Sequence, residues 1–156
     1  MLELEIPGRG VVQLYHLVSD VNGTLAVDGE LIDGVPTALG EIGQHMEIHL
    51  LTADTHGKQA AIDQALGLTA TRIPAGKESE AKAAYVEKLG ASRVVALGQG
   101  ANDAGMLQAA ALGICVLSAE GTAAEAVRAA DVLAPDVAAA LGMLQNPRRL
   151  VATLRR

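Results

Sequence analysis

An aspartate that ends an apolar run, followed at fixed spacing by a glycine and a threonine, can do phosphorus chemistry. Residues 16–25 read HLVSDVNGTL. Asp20 closes the apolar run, Gly23 lets the backbone approach a ligand, and Thr24 offers a hydroxyl donor. A carboxylate so placed can attack phosphorus and form an aspartyl-phosphate. Two further apolar runs end in polar groups: IHLL ends at Thr52, followed by Ala53 and Asp54, and RVVAL runs into GQGAND, residues 98–103. Thr52 could bind a second phosphate oxygen, a lysine from a helix could neutralise charge, and acids in the last loop could hold Mg²⁺. Phosphoryl transfer relies mostly on positioning and charge stabilisation, so this inventory is chemically sufficient.

The elements that must bring these residues together are legible as an alternation of short β-branched runs with Ala-rich helical segments. That pattern predicts an α/β domain with a mainly parallel sheet. LELEI alternates and ends at Pro7-Gly8, and VVQLYHLVS is expected as the first long strand. LAVDGELI reads as a small hairpin around Asp28-Gly29. MEIHLLT, ATRIP, RVVALG, ICVLS and DVLA are the remaining strands. GVPTALGEIGQ, HGKQAAIDQALG, KESEAKAAYVEKLG, NDAGMLQAAALG, TAAEAVRAAD and DVAAALGMLQ are helices, with a last turn or helix after Asn146-Pro147. In such sheets ligands bind where strands end and the next helix begins, so the three polar strand ends could converge on one edge.

Each piece alone has a bland reading. Asn22-Gly23 is a common turn dipeptide, Thr52 and Asp54 are good helix caps, and Asn22-Gly23-Thr24 matches a glycosylation acceptor only where a secretion signal exists. GQGANDAG after a strand has the look of a dinucleotide loop, but Asp103 occupies the place of the third glycine. His45 and His49 stand four apart, yet a strand start between them breaks helical alignment, so they are not expected to pair on a metal. His56 could edge the pocket but reads more simply as a helix-start residue. Cys115 sits in an apolar run and reads as core.

Taken in order, DVNGTL, LLTAD, a lysine-bearing helix and ALGQGANDAGML resemble the haloacid dehalogenase superfamily, and within it the phosphorylation domain of P-type ATPases. EGTAAEAVRAADVLAPDVAAALGML resembles the segment after the last motif of those pumps, so the likeness spans roughly residues 14–145. The membrane helices and nucleotide-binding insert of the pumps are missing. The chain, including its ending NPRRLVATLRR, is most similar to the soluble, stand-alone P-type ATPase-like group. The resemblance implies a three-layer Rossmann-like sandwich without a cap domain, with a hairpin flap after the first loop. It makes Asp20 the nucleophile, Thr24 the loop threonine and Thr52 the phosphate-binding threonine, with Gly23, Ala53 and Asn102 completing the phosphate cradle. Two lysines compete for the charge-neutralising role: Lys82 has the spacing of KAAYVEKLG ahead of the last motif, and Lys77 in IPAGK matches a Pro-x-x-Lys. Mg²⁺ would be held by Asp20, the backbone carbonyl of Asn22, Gln99 and Asp103.

Two residues depart from the family pattern. Superfamily phosphatases carry an Asp two residues after the nucleophile, which protonates the leaving group and then activates water. Asn22 cannot exchange that proton, and such help is typically worth about 10²- to 10⁴-fold. P-type pumps carry a Thr there, linked to a longer-lived phosphoenzyme. Gln99 stands where the last motif has a Mg²⁺-binding Asp, and loss of its charge should weaken a cation that prefers hard anionic oxygens. The reading is a slow Mg²⁺-dependent phosphohydrolase with a weakly held cation, or a degenerate descendant that binds a phosphorylated ligand or a partner protein.

Bulk properties narrow the rest. The 156 residues are expected to form one domain (1–156), since no linker, repeat or insert interrupts them. The net charge of −6 and a total of two aromatics, Tyr15 and Tyr85, oppose nucleic-acid binding. No run approaches the roughly 20 apolar residues of a membrane helix, and MLELEIPGRG fits neither a signal nor a transit peptide. One cysteine suits a reducing, cytoplasmic setting. Arg148, Arg149, Arg155 and Arg156 read as a solvated helix end. A small phosphorylated substrate or phosphoprotein is the expected partner, without nucleic acid or membrane. Capless relatives imply a homo-oligomer as one way to close the site.

Overall fold

In the computed structural model, which describes residues 1–54 and 57–156, six parallel strands form the central sheet. Their order is β10 (Val132–Ala134), β9 (Leu112–Val116), β8 (Val94–Gly98), β3 (His16–Asp20), β6 (Glu47–Thr52) and β7 (Thr71–Arg72). His56 lies outside the described residues.

Helices cover both faces, as a parallel sheet buried on both sides requires. One face carries α1 (Val35–Ile42), α2 (Gln59–Leu66), α6 (Val137–Gln145) and α7 (Arg148–Leu154), packed on Leu17, Leu50, Val95, Leu97 and Ile114. The other carries α3 (Glu78–Leu89), α4 (Ala104–Ala109) and α5 (Ala124–Ala129), packed on Val18, Leu51, Val94, Ala96 and Cys115. This is the expected three-layer α/β sandwich, with a fully buried Cys115 in the second core. Two helices stop where the sequence predicts, at Gly67 and Gly90, each in the left-handed conformation.

The run VVQLYHLVS is two strands, not one. β2 (Gly10–Leu14) folds back antiparallel on β1 (Leu2–Ile6), and a separate strand begins at His16. Tyr15 is the joint: its N–H donates to the Arg93 carbonyl and its own carbonyl accepts from Glu47 N–H, which steers the chain into the main sheet. The β1–β2 ribbon is clamped by α7, where Leu150 is buried and Arg156 N–H donates to the Pro7 carbonyl. The four C-terminal arginines are exposed, as their reading as a solvated helix end requires.

The hairpin after the first loop is present as β4 (Ala26–Val27) and β5 (Glu30–Leu31). Asp28 and Gly29, with φ of 51° and 79°, supply the two positive φ angles that a tight hairpin turn demands. Close packing between layers depends on Gly113 in β9: a Cβ there would lie 2.4 Å from the Leu107 carbonyl oxygen, a backbone atom that cannot swing aside. Gly113→Ala is therefore expected to lower unfolding free energy by about 1–3 kcal/mol. Urea titration would show it, and a change below about 0.5 kcal/mol would mean that α4 and β9 separate freely.

Candidate active site

The chain runs outward from β3 to β6 and β7, then returns to β8 and continues through β9 to β10. The order therefore reverses around β3, and in open α/β sheets the crevice at such a reversal is where ligands bind. Asp20 is the last residue of β3, Thr52 the last of β6, and Gln99 follows the end of β8. The three polar strand ends lie on adjacent strands at one edge.

The first loop turns tightly because the Val21 carbonyl accepts from the N–H groups of Thr24, Leu25 and Ala26. Gly23, at φ 83°, sits against Gln99: a Cβ would come within 2.3 Å of the Gln99 amide nitrogen. The first and last loops thus touch at a residue whose left-handed φ favours glycine. Thr24, buried at the bottom of the loop, donates its hydroxyl to Asp20 Oδ2 at 2.9 Å.

Of the two candidate lysines, Lys82 is the one that lies beside Asp20. It enters from α3, is 1 % exposed, and places Nζ 2.7 Å from both Asp20 Oδ1 and Asp103 Oδ1. Lys77 is exposed at the start of the same helix, about 7 Å upstream at the usual helical rise. The structure brings Lys82, and not Lys77, to Asp20.

Asp103 is fully buried and clasps its own loop. Its Oδ2 accepts from the N–H groups of Gln99 and Gly100 at 3.0 and 2.9 Å, while Oδ1 holds Lys82. Oδ1, which carries only the Lys82 bond, is the oxygen with a lone pair left for a cation. Gly98 is required beneath it, since a Cβ there would sit 2.7 Å from the Asp103 carboxyl carbon. Asn102 is exposed at the rim and folds back over Gly100.

The amide of Asn22 donates to Thr52 Oγ1 at 3.0 Å, and Asp54 N–H donates to the same oxygen at 2.9 Å. With two donors already on its oxygen, the Thr52 hydroxyl hydrogen is left to point elsewhere, and Ala53 continues the corner at half-burial. Gln99 donates its side-chain amide to the Gly121 carbonyl at 3.2 Å, which leaves its amide oxygen as the ligand-capable atom.

Electrostatically, the centre is one ammonium shared by two buried carboxylates. Burial, then the charge of Asp103, raise the Asp20 pKa to about 7 despite Lys82 and the Thr24 hydrogen bond. Burial works against the Lys82 ammonium, but the charges of Asp20 and Asp103 outweigh it and hold the pKa above the usual lysine value. Because Asp20 is raised, the folded chain binds more protons than the unfolded chain between about pH 4 and pH 7. Its stability should therefore fall as pH rises through that window. Asp20→Asn removes this dependence, so its stability relative to wild type should grow from pH 5 to pH 8, by as much as about 2–3 kcal/mol. Urea unfolding at both pH values tests it; parallel pH profiles for the two proteins would contradict it.

As a donor set for Mg²⁺, these residues offer the Asp20 carboxylate, the Asp103 carboxylate directly or through water, and neutral oxygens from Gln99 and the Asn22 backbone. Mg²⁺ is commonly held by one or two carboxylates plus the phosphate of a substrate. The set fits a cation that arrives with its phosphate better than one held alone.

No protein-family model matches the chain. Over 84 residues, 51 % of this chain and 90 % of the other, it is 37 % identical to an uncharacterized protein of Methanocaldococcus jannaschii, and the two belong to one family. Among solved structures, a member of the haloacid dehalogenase superfamily (subfamily III A) from Legionella pneumophila superposes with a TM-score of 0.66 at 18 % identity, covering 90 % of this chain and 87 % of that one. The 3-deoxy-D-manno-octulosonate 8-phosphate phosphatase of Moraxella catarrhalis, solved with magnesium and phosphate, gives 0.66 at 17 % identity, covering 91 % and 94 %. A zinc-transporting PIB-type ATPase in its E2.Pi state gives 0.61 at 30 % identity, covering 79 % of this chain and 20 % of the pump. Among the described residues, no helix is long and apolar enough to cross a membrane.

Proposed function

The chain has the fold of the haloacid dehalogenase superfamily, and from that premise we propose that it is a slow, Mg²⁺-dependent phosphohydrolase acting through an aspartyl-phosphate on Asp20. The observation that carries this reading is the placement of Asp20. It ends the strand at which the sheet order reverses, between the Lys82 ammonium and the Thr24 hydroxyl, with Thr52 on the neighbouring strand.

In this reading a carboxylate oxygen of Asp20 attacks the phosphorus of a phosphate ester, and the bond to the ester oxygen breaks. Lys82, charged throughout, offsets the negative charge that gathers on Asp20 and the transferred group. The Thr52 hydroxyl and the backbone around Gly23 and Ala53 orient the phosphate oxygens. Mg²⁺, when bound by Asp20, Asp103, the Asn22 carbonyl and the Gln99 amide oxygen, supplies charge neutralisation on the phosphate. The leaving oxygen takes its proton from water, because the Asn22 amide has none to give. Water then attacks the aspartyl-phosphate, phosphate leaves, and the Asp20 carboxylate is restored. Without a side-chain base at position 22 this second step is slow.

A second reading is a degenerate site that binds a phosphorylated ligand or partner without turning it over. Two observations favour it: Asn22 is spent on Thr52, and Gln99 on Gly121. One assay separates the two. Purified chain with Mg²⁺ is screened against phosphate monoesters beside Asp20→Asn. Hydrolysis that disappears in the variant supports the enzyme, and phosphate binding without hydrolysis in both proteins supports the degenerate site. Binding of neither Mg²⁺ nor a phosphate mimic rejects both readings.

A further inference from the structure

At the opposite end of β3 from Asp20, three side chains converge that the phosphoryl chemistry does not use. The parallel register of β3 and β6 sets His16 beside Glu47 and Val18 beside His49, so His16, Glu47 and His49 project from the same sheet face. His16 Nδ1 lies 3.1 Å from His49 Nε2 and 3.3 Å from Glu47 Oε2, and His49 Nε2 lies 3.7 Å from the same carboxylate oxygen. Among the described residues this is the one group of three such side chains whose donor atoms close on a common point. His49 is therefore partnered by His16 across strands, not by His45.

We propose that His16 Nδ1, His49 Nε2 and Glu47 Oε2 form a binding site for a divalent transition metal of the zinc class. A tetrahedral ion with bonds of about 2.0–2.1 Å to nitrogen and oxygen sets its ligand atoms about 3.3–3.4 Å apart. The three measured separations bracket that edge, so an ion fits with little movement and a fourth position stays open. Two imidazoles and one carboxylate suit zinc and its neighbours in the transition series better than Mg²⁺ or Ca²⁺, which prefer oxygen alone.

The surroundings are those of a built site. His49 Nδ1 is 3.0 Å from the Tyr85 hydroxyl, a partner that fixes the ring so that Nε2 is presented. Metal-bound histidines commonly have such a partner on the other nitrogen. The two histidine side chains are mostly buried while that of Glu47 is 66 % exposed, which gives an ion a path from solvent. Tyr85 stands one turn beyond Lys82 on α3, so an ion here also anchors the helix that delivers Lys82. The site is about 13 Å along β3 from Asp20 at the usual strand rise and is independent of the phosphohydrolase reading.

The test is titration of chelator-treated chain with Zn²⁺ by calorimetry, with Co²⁺ absorption as a second readout. One equivalent should bind, raise the melting temperature, and give the intense visible bands of tetrahedral Co²⁺. Glu47→Gln changes an exposed side chain that the fold does not need and should weaken binding at least tenfold. His16→Gln should abolish the bands. Asp20→Asn and His45→Gln should bind as the wild type does. No stoichiometric binding by wild type, equal binding by Glu47→Gln, or loss on Asp20→Asn would each overturn the assignment.

Discussion

Lys82→Met is expected to destabilise the chain by about 3–5 kcal/mol at pH 8, whereas Lys77→Met should change stability by less than about 0.5 kcal/mol. The difference follows from what each side chain leaves behind. Lys82 is buried between two carboxylates that are themselves buried, at 2.7 Å from each. Methionine fills similar volume, so packing is nearly kept and the loss is electrostatic. Asp20 and Asp103 would then face one another without a counter-charge, and Asp103 cannot turn away because its second oxygen clasps the Gln99 and Gly100 amides. The variant has one escape, which is to protonate Asp20, already raised to about 7. Removing Lys82 takes away the charge that lowers this pKa, so the loss should shrink as pH drops towards 5. Adding Asp20→Asn should recover part of it, a coupling that a double-mutant cycle reads directly. Denaturant titrations at pH 5 and 8 provide the numbers. A loss under 1 kcal/mol at pH 8, or an equal loss from Lys77→Met, would show that the triad is not the buried ion cluster described.

The choice between these lysines also shows where the sequence stopped being informative. Lys77 and Lys82 each matched a spacing, and nothing in the linear pattern says which face of the helix meets β3. That depends on how α3 docks, a tertiary property. The strand ends were legible because an apolar run interrupted by Asp, Thr or Gly carries its own boundary signal, and the hairpin because Asp28-Gly29 supplies the two positive φ angles. The break at Tyr15 was not legible: the run is uniformly strand-like, and the turn is made by hydrogen bonds to Arg93 and Glu47, remote in sequence. The His16–Glu47–His49 cluster was hidden for a related reason. Its ligands come from two strands joined only by their parallel register, while sequence inspection finds local pairs such as His45 and His49. A strand-start histidine facing a second strand with a Glu-x-His pair is the signal that could have found it.

Asn22→Asp combined with Gln99→Asp is expected to raise Mg²⁺-dependent phosphate ester hydrolysis by about 10²- to 10⁴-fold. Each change restores a distinct function. At position 22 the amide donates to Thr52 Oγ1; a carboxylate would accept from that hydroxyl and could hand a proton to the leaving oxygen. At position 99 the shorter side chain must release the Gly121 carbonyl, and it brings a further anionic oxygen toward the cation beside Asp20. The gain should depend on the leaving group. An alkyl alcohol leaves poorly without a proton, so alkyl phosphates should gain in both steps, while an aryl phosphate, whose phenolate leaves unaided, should gain only in hydrolysis of the phosphoenzyme. That split separates the acid role of position 22 from its base role within one variant. The single changes apportion it: Asn22→Asp alone should move the alkyl-to-aryl ratio, and Gln99→Asp alone should lower the Mg²⁺ needed for half-maximal rate. Wild type mixed with an aryl phosphate should, by contrast, accumulate an acid-stable phosphoenzyme that Asp20→Asn does not form. Should the double variant bind Mg²⁺ more tightly yet hydrolyse no faster, Asn22 would not be what limits turnover, and the proton-transfer role assigned to position 22 would fail.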